Sequence, residues 1–117
     1  MKLATIPCYR LNHAFKKAGF TEHEFMSVME TMIMVWRVND FNQDLTRELV
    51  FNDLDMHELS AQVLWLDIYS EVMLVSDQIR NLCLQSRLIS WKVTPYSILL
   101  ELEDEAFFTH SSYTAPD

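Results

Sequence analysis

The chain has 117 residues, half of them apolar, and a formal charge of −8. That length is one ordinary domain, and the apolar fraction is sufficient for a core. The single glycine, Gly19, argues against nucleotide-binding loops and nucleophile elbows, because both need glycine where the backbone takes positive φ or approaches a ligand closely. The acidic charge disfavours nucleic acid as a partner, since phosphates would be repelled. No catalytic residue and no enzymatic activity are therefore expected.

Charge is unevenly distributed along the chain. Residues 1–20 contain four basic residues and no acidic one. Residues 40–77 contain nine acidic residues and only Arg47 as a basic one. Such asymmetry predicts a protein partner with a basic surface. We expect the contact to include Asp53, Asp55, Glu58, Asp67 and Glu71. The alternative is an acidic face that only keeps the protein soluble.

Cysteine content and hydropathy bear on the compartment. Cys8 and Cys83 are too few for a disulfide framework and have no Cys-x-x-Cys spacing, so free thiols in a reducing cytoplasm are expected. No run of about 18 apolar residues is free of charge, so neither a transmembrane helix nor a membrane partner is expected.

The first third of the chain predicts one short strand and two helices. Residues 2–6 are typical of a strand, and residues 9–18 of a basic helix that ends at Gly19. Thr21 and Glu24 have the spacing of a capping box. The helix that follows should run from 22 to about 38 and is apolar around most of its circumference, which predicts neighbours on more than one side.

The middle of the chain predicts one long helix after a helical turn or two near Asp44. Asp55 and Glu58 repeat the capping-box spacing, and the helix can extend to Arg87, about 33 residues or roughly 50 Å. That length exceeds a domain of this size, so we expect the helix to bend, to break near Ser70 or Ser76, or to project. Its apolar residues form two sets on different faces: Ala61, Trp65, Ile68, Val72, Val75, Ile79 and Cys83, and then Leu66, Tyr69, Met73 and Leu84.

The C-terminal region allows two interpretations. Residues 89–93 alternate as a strand does. Thr94 and Pro95 then suit a helix start, which favours a helix over 95–108, whereas a hairpin over 89–103 is the alternative and lacks Asn-Gly turn chemistry. The predicted fold is therefore all-α or nearly so: an irregular bundle of four to five helices over 1–108, to which a two-stranded element from 2–6 and 89–93 can be added. Residues 109–117 are expected to be a flexible tail.

Residues that could perform chemistry are few. Asp53, Asp55, His57 and Glu58 could hold a divalent cation, but acids at a helix start more often cap amides, so no metal and no cofactor are expected. Cys8 and His13 could form a nucleophile–base pair only if the fold brought them together. A structural cysteine is the more common case.

The last feature that indicates function is a set of apolar residues expected on exposed helix faces. Four methionines cluster in residues 26–34, and Met34 lies on the polar face of its helix, where adaptable binding surfaces occur. Met34, Leu66 and Met73 are therefore added to the predicted binding residues. The surplus of apolar faces also predicts a homodimer or higher oligomer.

The predicted function is a small acidic protein-interaction module: an inhibitor, adaptor or assembly subunit. As a mimic of nucleic-acid charge it could block a basic nucleic-acid-binding surface of its partner. The alternatives are a dimeric, sequence-specific nucleic-acid-binding regulator and a small enzyme. The best nucleic-acid candidate is the polar cluster Gln78, Arg80, Asn81, Gln85 and Arg87.

Overall fold

The structure, a computed structural model, describes the backbone of residues 1–50 and 59–103 and the side chains of 1–50 and 66–103. The order of elements is β1 (Lys2–Pro7), α1 (Tyr9–Lys17), α2 (Glu22–Val38), α3 (Gln43–Glu48), α4 (Leu59–Cys83), β2 (Leu88–Val93) and β3 (Ser97–Leu102). The fold is therefore mixed α/β, with a three-stranded antiparallel sheet. The prediction of an all-α bundle is wrong.

The sheet has the strand order β1-β3-β2, so the last of the described strands is central. β1 pairs with β3 in an unbroken register from Lys2↔Leu102 to Pro7↔Ser97. β2 pairs with the other edge of β3, with an irregularity between Leu88 and Ser90. The two predicted strands thus exist, but they do not pair with each other, because β3 lies between them.

Residues 97–102 form a strand where a helix was predicted, so the hairpin was the correct alternative. The three-residue connection 94–96 has no positive φ and hence none of the primed-turn geometry that hairpins prefer. Side-chain hydrogen bonds stabilise it instead. The Thr94 hydroxyl accepts from the Ser97 N–H at 3.0 Å and donates to the Ser97 carbonyl at 2.8 Å.

Helix α1 also holds this turn, through contacts that lie more than 80 residues apart in sequence. The Cys8 N–H donates to the Tyr96 carbonyl at 2.9 Å. The Asn12 amide donates to the Pro95 carbonyl at 3.0 Å, and the Cys8 thiol to the Thr94 carbonyl at 3.5 Å. Three successive carbonyls of the turn are thus bound by the start of one helix. These contacts favour the hairpin over the helix that local propensity favours.

The predicted boundaries of the first two helices are confirmed. Gly19 follows α1 with φ of +96°, the left-handed conformation that ends helices at low cost for glycine. Thr21 and Glu24 form the capping box: the Thr21 hydroxyl accepts from the Glu24 N–H, and the Glu24 carboxylate accepts from the Thr21 N–H. Phe20 and Phe25 both pack against Phe15, with ring centroids 5.3 and 5.2 Å away.

The long helix ends earlier than predicted and does not break within the described residues, whereas its predicted start at Asp55 lies outside them. α4 has 25 residues, about 37 Å at 1.5 Å per residue, and it continues through Ser70 and Ser76. It ends at Cys83 rather than Arg87, because the chain must turn there to enter β2. The short helix α3 begins one residue before the predicted Asp44, with Asn42 as its cap.

The described helices cover one face of the sheet, and none of them covers the other. The covered face carries Ile6, Leu88, Val93, Ile98, Leu100 and Leu102, all buried. α4 packs on β1 and α1, whereas α2 packs on β2. The core side of α4 consists of Ile68, Val72, Val75 and Ile79, as the first apolar set predicts. The uncovered face includes Leu3 and Leu99, which are exposed. Residues 104–117, including the predicted tail, lie outside the described residues.

Candidate protein-binding surface

A surface cleft of about 330 Å³ separates α1 from α4. One wall is basic and comes from α1, with Arg10, His13 and Lys17 at positions i, i+3 and i+7 of the helix. The other wall comes from α4 and carries Asp67, Ser70 and Glu71. Among the residues with described side chains, Tyr9 and Ala14 also line the cleft. The basic start of the chain and part of the acidic segment therefore meet within one molecule.

Two predicted site residues, Asp67 and Glu71, lie together at this cleft but differ in availability. The Glu71 carboxylate is 3.5 Å from the Arg10 guanidinium, and only about 21% of its side chain is exposed. Asp67 is exposed, and no ion pair or hydrogen bond of its side chain occurs among the described residues. Asp67 is thus open to an external cation, whereas Glu71 is already neutralised in part by Arg10.

The side of α4 that faces away from the sheet is also partly apolar. Leu66, Met73 and Asp77 follow at intervals of seven and four residues, which places them on one side of the helix, and Leu84 follows directly after it. Leu66 is 56% exposed and Leu84 is 64% exposed, whereas Met73 is half-buried. We call Leu66, Met73, Asp77 and Leu84 the outer face of α4. It brings the predicted residues Leu66 and Met73 together.

Met34 belongs to a different helix. It is 52% exposed on α2, one turn before the exposed Val38. Arg37 lies between Met34 and Val38 in the sequence of α2. Its guanidinium is 5.7 Å from the centre of the Trp91 ring, within the range of a cation–π interaction. The other methionines of the cluster are in or against the core: Met29 and Met32 are buried, and Met26 packs against it. Met34 is therefore exposed as predicted, but on α2 rather than on the outer face of α4.

Three predicted acidic residues, Asp53, Asp55 and Glu58, lie outside the described residues. The same holds for the candidate cation ligand His57. In residues 1–50 and 59–103, no group of three or more His, Cys, Asp or Glu side chains is arranged to hold a metal ion.

Cys8 and His13 do not form the nucleophile–base pair considered in the sequence analysis. Cys8 is buried, and its thiol donates to the Thr94 carbonyl rather than contacting His13, which is exposed at the cleft. Burial raises the pKa of Cys8 to about 11, so this thiol is protonated at neutral pH. The pKa of Cys83 is also raised by burial, which the nearby Arg37 partly opposes. Both cysteines are free.

The polar cluster at the end of α4 is only partly available for nucleic acid. Arg80, Asn81 and Gln85 are exposed. Arg87, however, forms an ion pair of 2.7 Å with Glu103, the residue that follows β3. This pair links the start of β2 to the end of the central strand, which is a structural role.

Comparison of the chain with protein-family models, with characterised protein sequences and with solved structures found no match. Among the described residues, none of the helices combines the length and the apolarity needed to cross a bilayer.

Sequence reasoning missed the basic wall of the cleft. In the sequence analysis, Arg10 and Lys17 are treated as part of the net charge and His13 as a candidate base for Cys8, although the spacing of the three residues places them on one helix face. That spacing was a usable signal. The sequence could not predict that this face of α1 lies opposite α4. Residues about 60 positions apart become neighbours only through the sheet that positions both helices.

Proposed function

We propose that this protein is a small acidic interaction module that binds another protein through the outer face of α4. The observation that carries the proposal is that one helix has two apolar sides. Ile68, Val72, Val75 and Ile79 are covered by the core, whereas Leu66 on the opposite side of α4 and Leu84 just after the helix remain more than half exposed. Apolar side chains grouped on one helix face are typical of helices that dock into a partner's groove.

The charge around this face supports a basic partner. Asp77 lies on the outer face and Asp67 lies beside it at the cleft. The chain as a whole carries −8, so a partner with a basic surface is attracted from a distance. Within this class, an inhibitor that covers a basic nucleic-acid-binding surface fits the charge best. An adaptor or assembly subunit would use the same face.

We further propose that the protein self-associates and that it functions in the cytoplasm. Exposed apolar side chains on both the helical layer and the open sheet face support self-association. The two free cysteines are in keeping with a reducing compartment.

The test of the outer face is a matched pair of variants in an affinity capture from extract. Leu66→Glu places a charge on the outer face of α4, whereas Val38→Glu makes the same kind of change at an exposed apolar residue of α2. The proposal expects one or more proteins to be retained by the wild type and by Val38→Glu, and lost with Leu66→Glu. Circular dichroism checks that both variants fold.

Equal retention by both variants would contradict the use of this face. Loss with Val38→Glu alone would shift the contact to the surface around Met34 and Arg37.

A further inference from the structure

The two walls of the cleft between α1 and α4 are held in place by the core and by one ion pair. On the α1 side, Ala14 is buried beside the core residues Leu11 and Phe15. On the α4 side, the buried residues of the helix fix it against the sheet. The ion pair of Arg10 and Glu71, 3.5 Å long, joins the two walls directly. The cleft is therefore preformed, and its volume of about 330 Å³ lies at the lower end of the range for small-molecule sites.

The cleft is electrically balanced, although the chain as a whole carries −8. Among the described residues that line it, the two cations Arg10 and Lys17 balance the two carboxylates Asp67 and Glu71. The signs are also separated, since both cations lie on α1 and both carboxylates on α4. A ligand in the cleft therefore meets positive charge on one wall and negative charge on the other.

One pair of opposite charges in the cleft is not joined directly. Lys17 and Asp67 are both exposed and both line the cleft, yet they are not within ion-pair distance of each other. Neither side chain has an ion pair or a hydrogen bond among the described residues. A molecule placed between them can therefore contact both without displacing an existing partner.

The distribution of charge selects a small zwitterion over a simple ion. A simple anion would be attracted by α1, but it would face the carboxylates of α4 and the field of an acidic chain. A simple cation would face Arg10 and Lys17 across the cleft. A molecule with one carboxylate and one ammonium group is neutral overall and satisfies both walls. Lys17 is then the partner of its carboxylate, and Asp67 is the partner of its ammonium group.

The uncharged groups of the lining fit the same kind of ligand. The Ser70 hydroxyl lies one turn from Asp67 on α4, and the His13 ring lies one turn from Lys17 on α1. Both groups can donate a hydrogen bond to a carboxylate. The methyl group of Ala14 offers an apolar contact for a short methylene chain and, as the smallest side chain of the lining, leaves room for it.

We propose that the cleft between α1 and α4 binds a small amino carboxylate, a molecule of a few carbons with an ammonium group at one end and a carboxylate at the other. This site is independent of the outer face of α4, because neither Leu66 nor Leu84 lines the cleft. It adds a small-molecule ligand to the protein partner proposed above.

The first experiment compares three compounds with the same carbon chain by NMR titration of the protein at low salt. The compounds are γ-aminobutyrate, butyrate and butylamine, which carry both charges, only the negative charge and only the positive charge. Concentrations up to about 20 mM cover binding in the millimolar range. The amide signals of His13, Ala14 and Ser70 should shift saturably with γ-aminobutyrate. Because each exposed ion pair changes the Kd by a factor of about two to five, γ-aminobutyrate should bind about two- to fivefold more tightly than either single-charge compound.

The second experiment repeats the titration with one variant on each wall. Asp67→Asn removes only the carboxylate charge, so γ-aminobutyrate should bind it as weakly as butyrate binds the wild type. Lys17→Gln removes the opposite charge, so binding should fall to that of butylamine. The matched controls are Glu30→Gln on α2 and Lys92→Gln on β2, which lie outside the lining and should leave the Kd unchanged. All four side chains are exposed, so the fold should be retained, and the dispersion of the amide spectrum checks this.

Three outcomes would overturn the proposal. The first is that no compound shifts the signals of the lining residues saturably. The second is that γ-aminobutyrate binds no more tightly than one of the single-charge compounds, which would make the cleft a site for a simple ion. The third is that Asp67→Asn or Lys17→Gln binds γ-aminobutyrate with the Kd of the wild type.

Discussion

At the residue scale, the capping residue Thr21 and the core residue Ile68 contribute to stability by different mechanisms. Thr21 is exposed, and its hydroxyl stabilises α2 by accepting from the Glu24 N–H. The hydrogen bonds that Thr21 makes to Glu24 lower the pKa of that carboxyl. Ile68 is fully buried on the core side of α4, where its removal leaves a cavity among close-packed neighbours.

The two mechanisms predict different losses of unfolding free energy. Ile68→Ala should cost about 2–5 kcal/mol, the range of large-to-small core substitutions. Thr21→Ala should cost about 1 kcal/mol, because one exposed cap is lost and water replaces it in part. Urea denaturation of both variants measures the two values. A larger loss for the cap variant would mean that α4 turns a different side to the core.

At the element scale, α3 is attached to α2 through one buried hydrogen bond. The Trp36 indole N–H donates to the Thr46 hydroxyl at 2.8 Å, and Thr46 in turn donates to the Asn42 carbonyl at 2.9 Å. Trp36 is 1% exposed. The turn between the helices brings Asp40 and Phe41 into the left-handed region, which is costly for these residues. The stacking of Phe41 on Trp36, with centroids 6.2 Å apart, offsets part of that cost.

Replacing the hydroxyl of Thr46 should therefore weaken the contact between the two helices. Thr46→Val leaves the buried Trp36 N–H without an acceptor and should cost about 1–3 kcal/mol of unfolding free energy. Thr31→Val is the matched control, because the Thr31 hydroxyl binds its own helix on an exposed surface and should be nearly neutral. Denaturant melts followed by tryptophan fluorescence give both values. A neutral Thr46→Val would show that another group accepts the indole proton.

At the scale of the whole molecule, the charge is partly compensated inside the chain. Arg10 binds Glu71, Lys16 binds Glu22 at 3.1 Å, and Arg87 binds Glu103. The long-range acidic field remains, because acidic residues outnumber basic ones by 17 to 9. Such a field accelerates association with a basic partner more than it increases affinity at contact.

The field makes a kinetic prediction for the partner that the capture experiment identifies. Asp67→Lys should slow association several-fold at low salt and reduce its salt dependence, because a steering charge is reversed. Glu30→Lys makes the same change in charge on the exposed surface of α2, outside the acidic segment, and should have a smaller effect. Glu71 is left unchanged, since a lysine there would face Arg10. Stopped-flow or surface-plasmon measurements at two salt concentrations give the rates. Equal effects of the two variants would make the acidic segment a solubility feature.

The described residues of the predicted site fall into two groups: four on α4, which lie near one another, and Met34 on α2. Asp67 and Glu71 meet at a cleft, and Leu66 and Met73 share one side of α4, because residues three, four or seven apart on a helix are neighbours by its geometry alone. Met34 lies apart from them on α2. The sequence did not predict this separation, because no sequence pattern determines how two helices are placed relative to each other. The position of the basic wall opposite α4 could not be predicted for the same reason, although the spacing of its residues on α1 is visible in the sequence.

The sequence by itself determined the local structure of this protein. The capping box at Thr21, the left-handed Gly19 and the extent of α2 follow from interactions within a few residues, which a pattern contains in full. Only the tertiary structure decided the state of residues 97–102. Their local sequence favours a helix, and the contacts that favour the strand instead come from β1 and from Cys8 and Asn12 of the distant N-terminal segment. An interaction between residues more than 80 positions apart has no local signature, so the central strand of the sheet was the element that the sequence could not fix.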